Sequence, residues 1–401
     1  MAQSYRIISA DSHLQLAPER WTPRVPARYR DRAPHSAHLP NGDATITEGA
    51  RPAYCFGGLT GRPYEKRTPN GGRFETAPGY GSPEQRLQEQ DIDGIDGEVL
   101  FTTTTAAAAY QGLKGEDGAA YKAVIHAWNE FLAEEYCPVA PERLVGMGVM
   151  PDTGVDDAIA ELEYCARMGL KGIALTKYPS GNDLPSMEDD RFWAAAIDHN
   201  MPISVHVGFP APRSGRALYP YEKNPSEVSS GVDAFSKFNQ YAVRGANNAL
   251  QMLFFGVLHR LPRLRIYFAE TQVGWIPHFL EILDDQYDRH IHWAERLLDM
   301  MKLDRLPSEY IKEHFSWGFM RNAVGVRNRY EIGVGRMMWA TDFPHAESDW
   351  PESQHVIEEI FAGVPEDEKR RILGGNVIEY FHLDPKPPAR TEAAAIAVAA
   401  S

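Results

Sequence analysis

Apolar and polar positions along the chain alternate between short buried runs and longer segments with helical spacing. Eight runs rich in apolar and β-branched residues have the length and composition of buried strands. They are Tyr5–Ala10, Glu98–Thr104, Leu144–Met150, Lys171–Thr176, Pro202–Gly208, Leu264–Glu270, His314–Phe319 and Arg336–Ala340. Predicted helices fall between or after most of them: Ser82–Asp93, Asp117–Tyr136, Asp156–Met168, Asp189–His199, Ala246–Leu258, Pro351–Phe361 and Glu366–Phe381.

This alternation predicts an α/β fold, specifically a (β/α)8 TIM barrel. Near-continuous apolar strands need cover on both faces, and crossover helices supply that cover in a parallel barrel. A doubly wound sheet is the alternative. It would carry a glycine-rich phosphate loop after the first strand, whereas the residues there are Asp11-Ser12-His13-Leu14.

One segment breaks the alternation. Residues from about 34 to 81 are rich in Gly, Pro, Arg and Tyr and show no sustained period of either kind. We expect one catalytic barrel domain over residues 1–385, with this insertion as a flap or arm over the site or as an oligomer contact. Residues 386–401 form an Ala-rich tail.

Charge and cysteine content narrow the function classes. The formal charge of -14 would repel phosphate backbones and anionic lipid, which argues against nucleic acid or a membrane surface as a main partner. The three cysteines are scattered without C-x-x-C spacing, which disfavours a disulfide scaffold or a cysteine-based zinc site. The N-terminus enters strand-like sequence at once, and no apolar run is long enough to span a bilayer. A cytoplasmic location is therefore expected.

Polar residues interrupt the predicted strands at or near their C-terminal ends. They are Asp11, His13, His206, Glu270 and Asp342. The C-terminal ends of barrel strands are where active sites of this architecture are built. Imidazole and carboxylate groups together suit zinc, manganese or iron, and an open coordination position lets the ion activate water. The joint pattern predicts a metal centre.

The elements S-A-D-S-H, V-H-V-G, F-A-E-T-Q-V-G-W-I-P and W-A-T-D-F-P-H resemble the amidohydrolase-related family, which includes aminocarboxymuconate-semialdehyde decarboxylase and resorcylate decarboxylase. The resemblance covers most of the chain outside the insertion and the tail. It implies a distorted barrel with one divalent ion, held by Asp11, His13, His206 and Asp342. It also implies that Asp342 handles a proton of metal-bound water, and that the protein assembles as a dimer or larger oligomer.

The sixth predicted strand departs from the family's decarboxylases. They carry a catalytic histidine at its end, where this chain has Glu270. A carboxylate donates a proton only if its pKa is raised, so a base or ligand role is more natural. This departure favours hydrolysis and leaves room for a second ion held by Glu270. His345 follows Pro344 and is predicted to orient Asp342 or to contact substrate, with an ordinary surface histidine as the alternative.

Each candidate also has a purely structural interpretation. Asp11 is a possible turn cap, and Asp342 a possible turn anchor before Pro344. His13 and His206 are possible core histidines with satisfied hydrogen bonds. Glu270 could pair with an arginine across the barrel mouth.

We expect a metal-dependent hydrolase acting on a small carbonyl-containing substrate, such as an amide, ester, lactone or carboxylic acid. Zinc is the expected ion, with Mn²⁺ or Fe²⁺ as alternatives, and Asp342, Glu270 and His345 are the expected catalytic residues. Three other functions remain: a non-oxidative decarboxylase of a small aromatic or unsaturated acid, a dinuclear iron or manganese oxygenase, and a catalytically silent barrel that assembles with a paralogue.

Overall fold

The computed structural model describes residues 5–55, 60–68, 71–102, 104–209 and 241–386. The strands are β1 (Ile8–Leu14), β2 (His35–Leu39), β3 (Gly42–Ile46), β4 (Ala53–Tyr54), β5 (Gly97–Thr102), β6 (Leu144–Val149), β7 (Gly172–Leu175), β8 (Ile203–His206), β9 (Ile266–Ala269), β10 (Phe315–Phe319) and β11 (Met337–Trp339). Eight of them form one parallel sheet in the order β1-β5-β6-β7-β8-β9-β10-β11. Each of the eight predicted strands has its counterpart in this sheet.

Helices lie between successive barrel strands and after the last of them. They are α1 (Ala27–Arg30), α2 (Pro83–Asp93), α3 (Thr104–Glu116), α4 (Gly118–Phe131), α5 (Val155–Arg167), α6 (Asp190–Asp198), α7 (residues 241–254), α8 (Val257–Arg260), α9 (Ile276–Leu298), α10 (Pro307–His314), α11 (Ala323–Arg327), α12 (Arg329–Ile332), α13 (Ser353–Ile360), α14 (Glu366–Arg370) and α15 (Asn376–Phe381). The start of α2 follows the sequence prediction, since the Ser82 side chain accepts a hydrogen bond from the Gln85 N–H and Pro83 occupies the first turn.

The sheet closes into a barrel between its first and last strands. The Asp342 N–H donates to the Asp11 carbonyl at 2.9 Å, and the His13 N–H donates to the Phe343 carbonyl at 2.7 Å. Below these bonds, the Ser9 hydroxyl lies 3.0 Å from the Thr341 hydroxyl. Closure therefore depends on the C-terminal ends of β1 and of the segment that follows β11.

Two apolar clusters form the core. The smaller fills the barrel interior and includes Ile8, Val99, Met147, Tyr267 and Met338. The larger lies between the strands and the surrounding helices and includes Leu162, Trp128, Trp193 and Trp317. Burial of both faces of each strand explains why the strand sequences read as continuous apolar runs. The predicted (β/α)8 barrel is confirmed.

The insertion contains secondary structure that the sequence pattern missed. Strands β2, β3 and β4 form a small antiparallel sheet. The Gln15 amide, one residue beyond β1, donates to the Tyr54 carbonyl, and the Tyr80 hydroxyl donates to Gln15. A Cβ added to Gly79 would lie 2.6 Å from the Pro344 side chain. The insertion thus packs against the C-terminal end of the barrel; its role as flap, arm or oligomer contact stays a prediction.

Other expectations concern the chain ends and the bilayer. Residues 387–401, most of the Ala-rich tail, lie outside the described residues. Within the described part of the chain, none of the helices combines the length and the apolar composition required to cross a bilayer.

Candidate metal centre

The structure brings all six predicted site residues together at the C-terminal end of the barrel. Asp11 and His13 lie on β1, His206 ends β8, and Glu270 directly follows β9. Asp342 and His345 lie on the segment after β11.

A bulge in β1 aims two of these side chains into the barrel. Pairing with β5 shifts between Ser9, which is opposite Glu98, and Ser12, which is opposite Leu100, so β1 holds one extra residue there. An extra residue exchanges the two faces of a strand. Ile8 and Ala10 belong to the interior cluster before the bulge, while Leu14 belongs to the outer cluster after it. Asp11 and His13 therefore face inward.

Donor atoms of three residues lie close to His13. Its Nε2 lies 3.0 Å from Asp342 Oδ1, 3.2 Å from His206 Nε2 and 3.5 Å from Asp11 Oδ1. His206 Nε2 lies 3.5 Å from both Asp11 Oδ2 and Glu270 Oε2. Ligands placed ~2.1 Å from one ion in tetrahedral or octahedral geometry lie about 3.0–3.4 Å apart. The spacing of these atoms is that of a coordination shell.

Burial without hydrogen bonds points to the same interpretation. Asp11 and Asp342 are fully buried, and none of their four oxygens forms a well-oriented hydrogen bond with another described residue, although imidazole nitrogens of His13 and His345 lie 3.0 and 3.3 Å from Asp342 Oδ1. Buried carboxylates are costly unless they are paired or coordinate a metal. The buried His, Asp and Glu cluster fits a metal site.

The donor atoms form two overlapping groups. Asp11, His13, His206 and Glu270 make the first, and His13, Asp342 and His345 make the second. His345 Nδ1 lies 3.3 Å from Asp342 Oδ1, and its ring stacks on that of His13 with the centroids 3.9 Å apart. His345 is therefore a neighbour of the ligand set and not a surface histidine.

Burial and mutual charge set the protonation of these groups. Burial raises the pKa of Asp11 to about 7, against the opposing effect of His13. Burial, together with His345, lowers the pKa of His13 to about 4. Burial alone would raise the pKa of Asp342, but His345 and His13 hold it below its ordinary value. Burial works to lower the pKa of His345, and the Asp342 carboxylate outweighs it and raises that pKa. Without an ion, the proton of the Asp342–His345 pair thus resides on the imidazole.

Strained backbone marks the same strand ends. Val207, Glu270 and Asp342 have φ values of 53°, 59° and 55°. A β-branched residue rarely adopts such a value, and residues held this way cluster at functional sites. At Glu270 and Asp342, the residue with the positive φ value is the candidate ligand itself.

A supporting residue that the sequence did not indicate is Arg86 on α2. Its guanidinium is buried, donates to both oxygens of Glu98 at 2.6 and 3.2 Å, and donates to the Phe343 carbonyl at 3.2 Å. That carbonyl also accepts from the His13 N–H. Arg86 therefore helps to hold the Asp342 segment against β1.

Two further residues at the barrel mouth were also missed. Tyr241 and Arg244 lie on α7, with the Arg244 guanidinium carbon 5.9 Å from the Tyr241 ring centroid. Burial raises the pKa of Tyr241 well above its ordinary value, and Glu270 adds to the effect. A Cβ on Gly208 would lie 2.7 Å from Arg244 Cβ, which places α7 directly over the end of β8. The sequence carries no motif for these two residues.

Comparison with known proteins supports a family assignment. The Amidohydrolase family model matches residues 10–383. The chain belongs to the amidohydrolase family. This amidohydrolase is similar to 2-amino-3-carboxymuconate-6-semialdehyde decarboxylase of Dictyostelium discoideum, at 24% identity over 312 residues, or 76% of this chain and 77% of the relative. It is also similar to decarboxylase orsB of Emericella nidulans, at 24% identity over 221 residues, which is 54% of this chain and 64% of that relative's length.

The fold of this amidohydrolase is also found among solved structures. The 5-carboxyvanillate decarboxylase of Novosphingobium aromaticivorans, complexed with manganese and 4-hydroxy-3-methoxy-5-nitrobenzoic acid, aligns with a TM-score of 0.67 at 19% identity. The alignment covers 95% of this chain and 97% of that one. At this identity the likeness shows the shared barrel fold.

Proposed function

We propose that this amidohydrolase is a metal-dependent, non-oxidative decarboxylase of a small aromatic or unsaturated carboxylic acid. The expected first choice was a hydrolase, and the relatives favour the decarboxylase alternative instead. The observation that carries the proposal is the Asp342–His345 pair, in which Nδ1 of the half-buried His345 lies 3.3 Å from Oδ1 of the buried Asp342, beside the cluster of candidate ligands.

The reaction requires one proton and no oxidant. The bond between the substrate carbon and its carboxylate breaks, the electron pair stays on that carbon, and the carbon then takes a proton while carbon dioxide leaves. A proton carried by the His345 imidazole, whose Nδ1 lies 3.3 Å from Asp342 Oδ1, would pass through Asp342 to the substrate.

Asp11, His13, His206 and Asp342 would hold the ion, with Glu270 as a further ligand. When bound, a divalent ion orients the substrate's oxygen atoms and neutralises their charge. Zinc was the expected metal, but a relative was solved with manganese, and both suit imidazole and carboxylate donors. We propose Mn²⁺ or Zn²⁺, one per chain.

Recognition of the substrate would fall to the barrel mouth. Arg244 supplies a cation next to Tyr241 on α7, and the Glu270 carboxylate acts electrostatically on the same tyrosine. A substrate carboxylate is an acceptor that a guanidinium binds with two parallel hydrogen bonds. The packing of β2, β3 and β4 against this end of the barrel suits an arm that limits the access of water.

The test is a product assay without oxygen. The protein, reconstituted separately with Mn²⁺ and Zn²⁺, is incubated anaerobically with ortho-hydroxybenzoates and unsaturated dicarboxylic acids. We expect equal amounts of carbon dioxide and the decarboxylated product from at least one acid. Carbon dioxide release that requires oxygen, or no release from any acid by either metal form, would contradict the proposal.

Hydrolysis is the second candidate, because Glu270 follows β9 at the position where the resemblance implies a catalytic histidine in the family's decarboxylases. In hydrolysis, the water oxygen would bond to the substrate's carbonyl carbon and the bond from that carbon to the leaving group would break. The leaving group would take the water proton. Incubation of esters and lactones in ¹⁸O-labelled water distinguishes the two, since only hydrolysis incorporates the label into the product acid.

Assembly and location stay predictions. We propose a small-molecule substrate and a homo-oligomer, with a hetero-oligomer of paralogues as the alternative, in the cytoplasm.

A further inference from the structure

A cavity of about 520 Å³ opens at the end of the barrel opposite the metal centre. It lies at the N-terminal ends of β8, β9, β10 and β11, where Ile203, Arg265, Ser316 and Met338 line it. Helix α15 closes one side through Asn376 and Tyr380. Ile203 begins β8 and His206 ends it, so the cavity and the metal centre are separated by about 10 Å of strand.

Cations dominate the lining of this cavity. Arg263, Arg265 and Arg336 contribute guanidinium groups. Glu379 is the one acidic residue among the described lining residues, and it pairs with Arg371 at 2.9 Å. The cavity therefore carries a net positive charge.

Arg336 differs from the other two arginines because its side chain forms no hydrogen bond or ion pair with another described residue. Arg265 pairs with Glu313 at 3.0 Å, and Arg263 lies 3.5 Å from Asp198. Among the described residues, none accepts a hydrogen bond from the Arg336 side chain or forms an ion pair with it. Burial lowers the pKa of Arg336, and the nearby Arg265 adds to the effect, against the opposing influence of the Glu379 and Glu313 carboxylates. A half-buried, unpaired guanidinium beside another cation is stabilised by any anion that reaches it.

The rest of the lining combines apolar side chains with polar ones, of which Asn376 and Ser316 are buried. Ala196, Ile197, Met201, Ile203, Leu264 and Met338 supply the apolar surface. Asn376 is 3% exposed; its amide nitrogen donates to the carbonyls of Val334 and Met337, and its amide oxygen has no partner among the described residues. A volume in the range of small-molecule sites, apolar walls and a few polar groups are the properties of a ligand pocket.

We propose that this cavity binds a small organic anion, with its carboxylate or phosphate head on Arg336 and an apolar body against Ile203, Leu264 and Met338. The site is distinct from the metal centre, and the proposal does not depend on the reaction performed there. A carboxylate and a phosphate can both accept hydrogen bonds from the Arg336 guanidinium. The test therefore compares the two head groups.

The test is isothermal titration of the metal-loaded full-length protein with four probes. They are octanoate, octyl phosphate, inorganic phosphate and the neutral analogue octanol. We expect octanoate or octyl phosphate to bind, and octanol to bind at least about tenfold more weakly, because a charge-assisted hydrogen bond contributes a factor of ten or more in affinity. The stronger of the two amphiphiles identifies the head group, and weak binding of inorganic phosphate would show that the apolar body contributes.

Two substitutions locate the binding. Arg336→Gln should weaken the preferred probe about tenfold or more, and Arg336→Lys should retain part of the affinity. The matched control is Arg263→Gln, which removes a guanidinium that is 74% exposed on the same cavity and should change the affinity less than about twofold. Thermal unfolding of each variant checks that it is folded. Equal binding by Arg336→Gln and the unsubstituted protein, or equal binding of octanol and octanoate, would overturn the proposal.

Discussion

The Asp342 N–H donates to the Asp11 carbonyl at 2.9 Å, so a main-chain hydrogen bond joins two of the candidate metal ligands directly. The same bond closes the barrel between its first strand and the segment after its last. Closure of the fold and positioning of the ligands therefore depend on the same contacts. Ligands held in this way by main-chain hydrogen bonds are in place before an ion arrives.

Arg86→Lys is expected to weaken metal binding. Arg86 donates to Glu98 and to the Phe343 carbonyl, and a lysine keeps the charge but lacks the planar fork that reaches both. We expect a loss of metal affinity of about tenfold, typical of residues that orient ligands without touching the ion. Competition with a chromophoric chelator measures it.

The matched control for that substitution is Arg143→Lys. Arg143 is also buried and donates to Asp91 at 2.7 Å, but it has no contact with the Asp342 segment. It should lower the unfolding temperature without changing metal affinity. If both variants lose affinity equally, Arg86 acts through general stability and has no specific positioning role.

Metal affinity should depend on pH through Asp11. Burial raises the pKa of this carboxyl to about 7, so in the metal-free protein it is protonated below pH 7 and must lose its proton to become a ligand. Affinity should therefore fall as the pH drops below 7, by about tenfold per unit from this group. His13 adds nothing in this range because its pKa is about 4. Chelator-buffered titrations from pH 5.5 to 8.5 test this, and a flat profile would contradict it.

Asp342→Asn should abolish turnover and leave most of the bound metal. An amide does not sustain the raised pKa of His345, so the proton held beside the site is lost. We expect a fall in kcat of about 10²- to 10⁴-fold, the usual contribution of a positioned acid or base. Elemental analysis gives the metal content, and Asp367→Asn on the exposed side of α14 is the control. Unchanged turnover would refute the role of Asp342.

Glu270→Gln tests whether Glu270 is a ligand of the metal ion. Glu270 Oε2 lies 3.5 Å from His206 Nε2, as expected for two ligands of one ion. We expect one divalent ion per unsubstituted chain and a loss of affinity in the variant clearly larger than the roughly tenfold expected for Arg86→Lys, because a ligand contacts the ion directly. Unaltered affinity would place Glu270 outside the coordination shell. Two ions per chain, with one lost on substitution, would instead indicate a dinuclear centre.

Much of the site could be predicted because parallel barrels have one active end. Polar residues that terminate apolar strands must lie at that end, so His206, Glu270 and Asp342 could be grouped without knowledge of any contact. The secondary structure of the insertion was harder to predict from the sequence. Its strands β2 and β3 are short and pair locally, and their residues show too few alternating apolar positions to register as strands.

The sequence by itself determined the barrel, the strand order and the set of donor side chains, because these follow from the period of apolar residues and the direction of parallel strands. Only the tertiary structure decided how the donors meet. In a strand buried on both faces, nothing in the apolar pattern reveals the bulge that turns Asp11 and His13 inward. The contact of Arg86 with the Phe343 carbonyl joins residues 257 positions apart, and the cavity around Arg336 exists only where the ends of four strands meet α15. Such contacts depend on packing, which the local sequence does not encode.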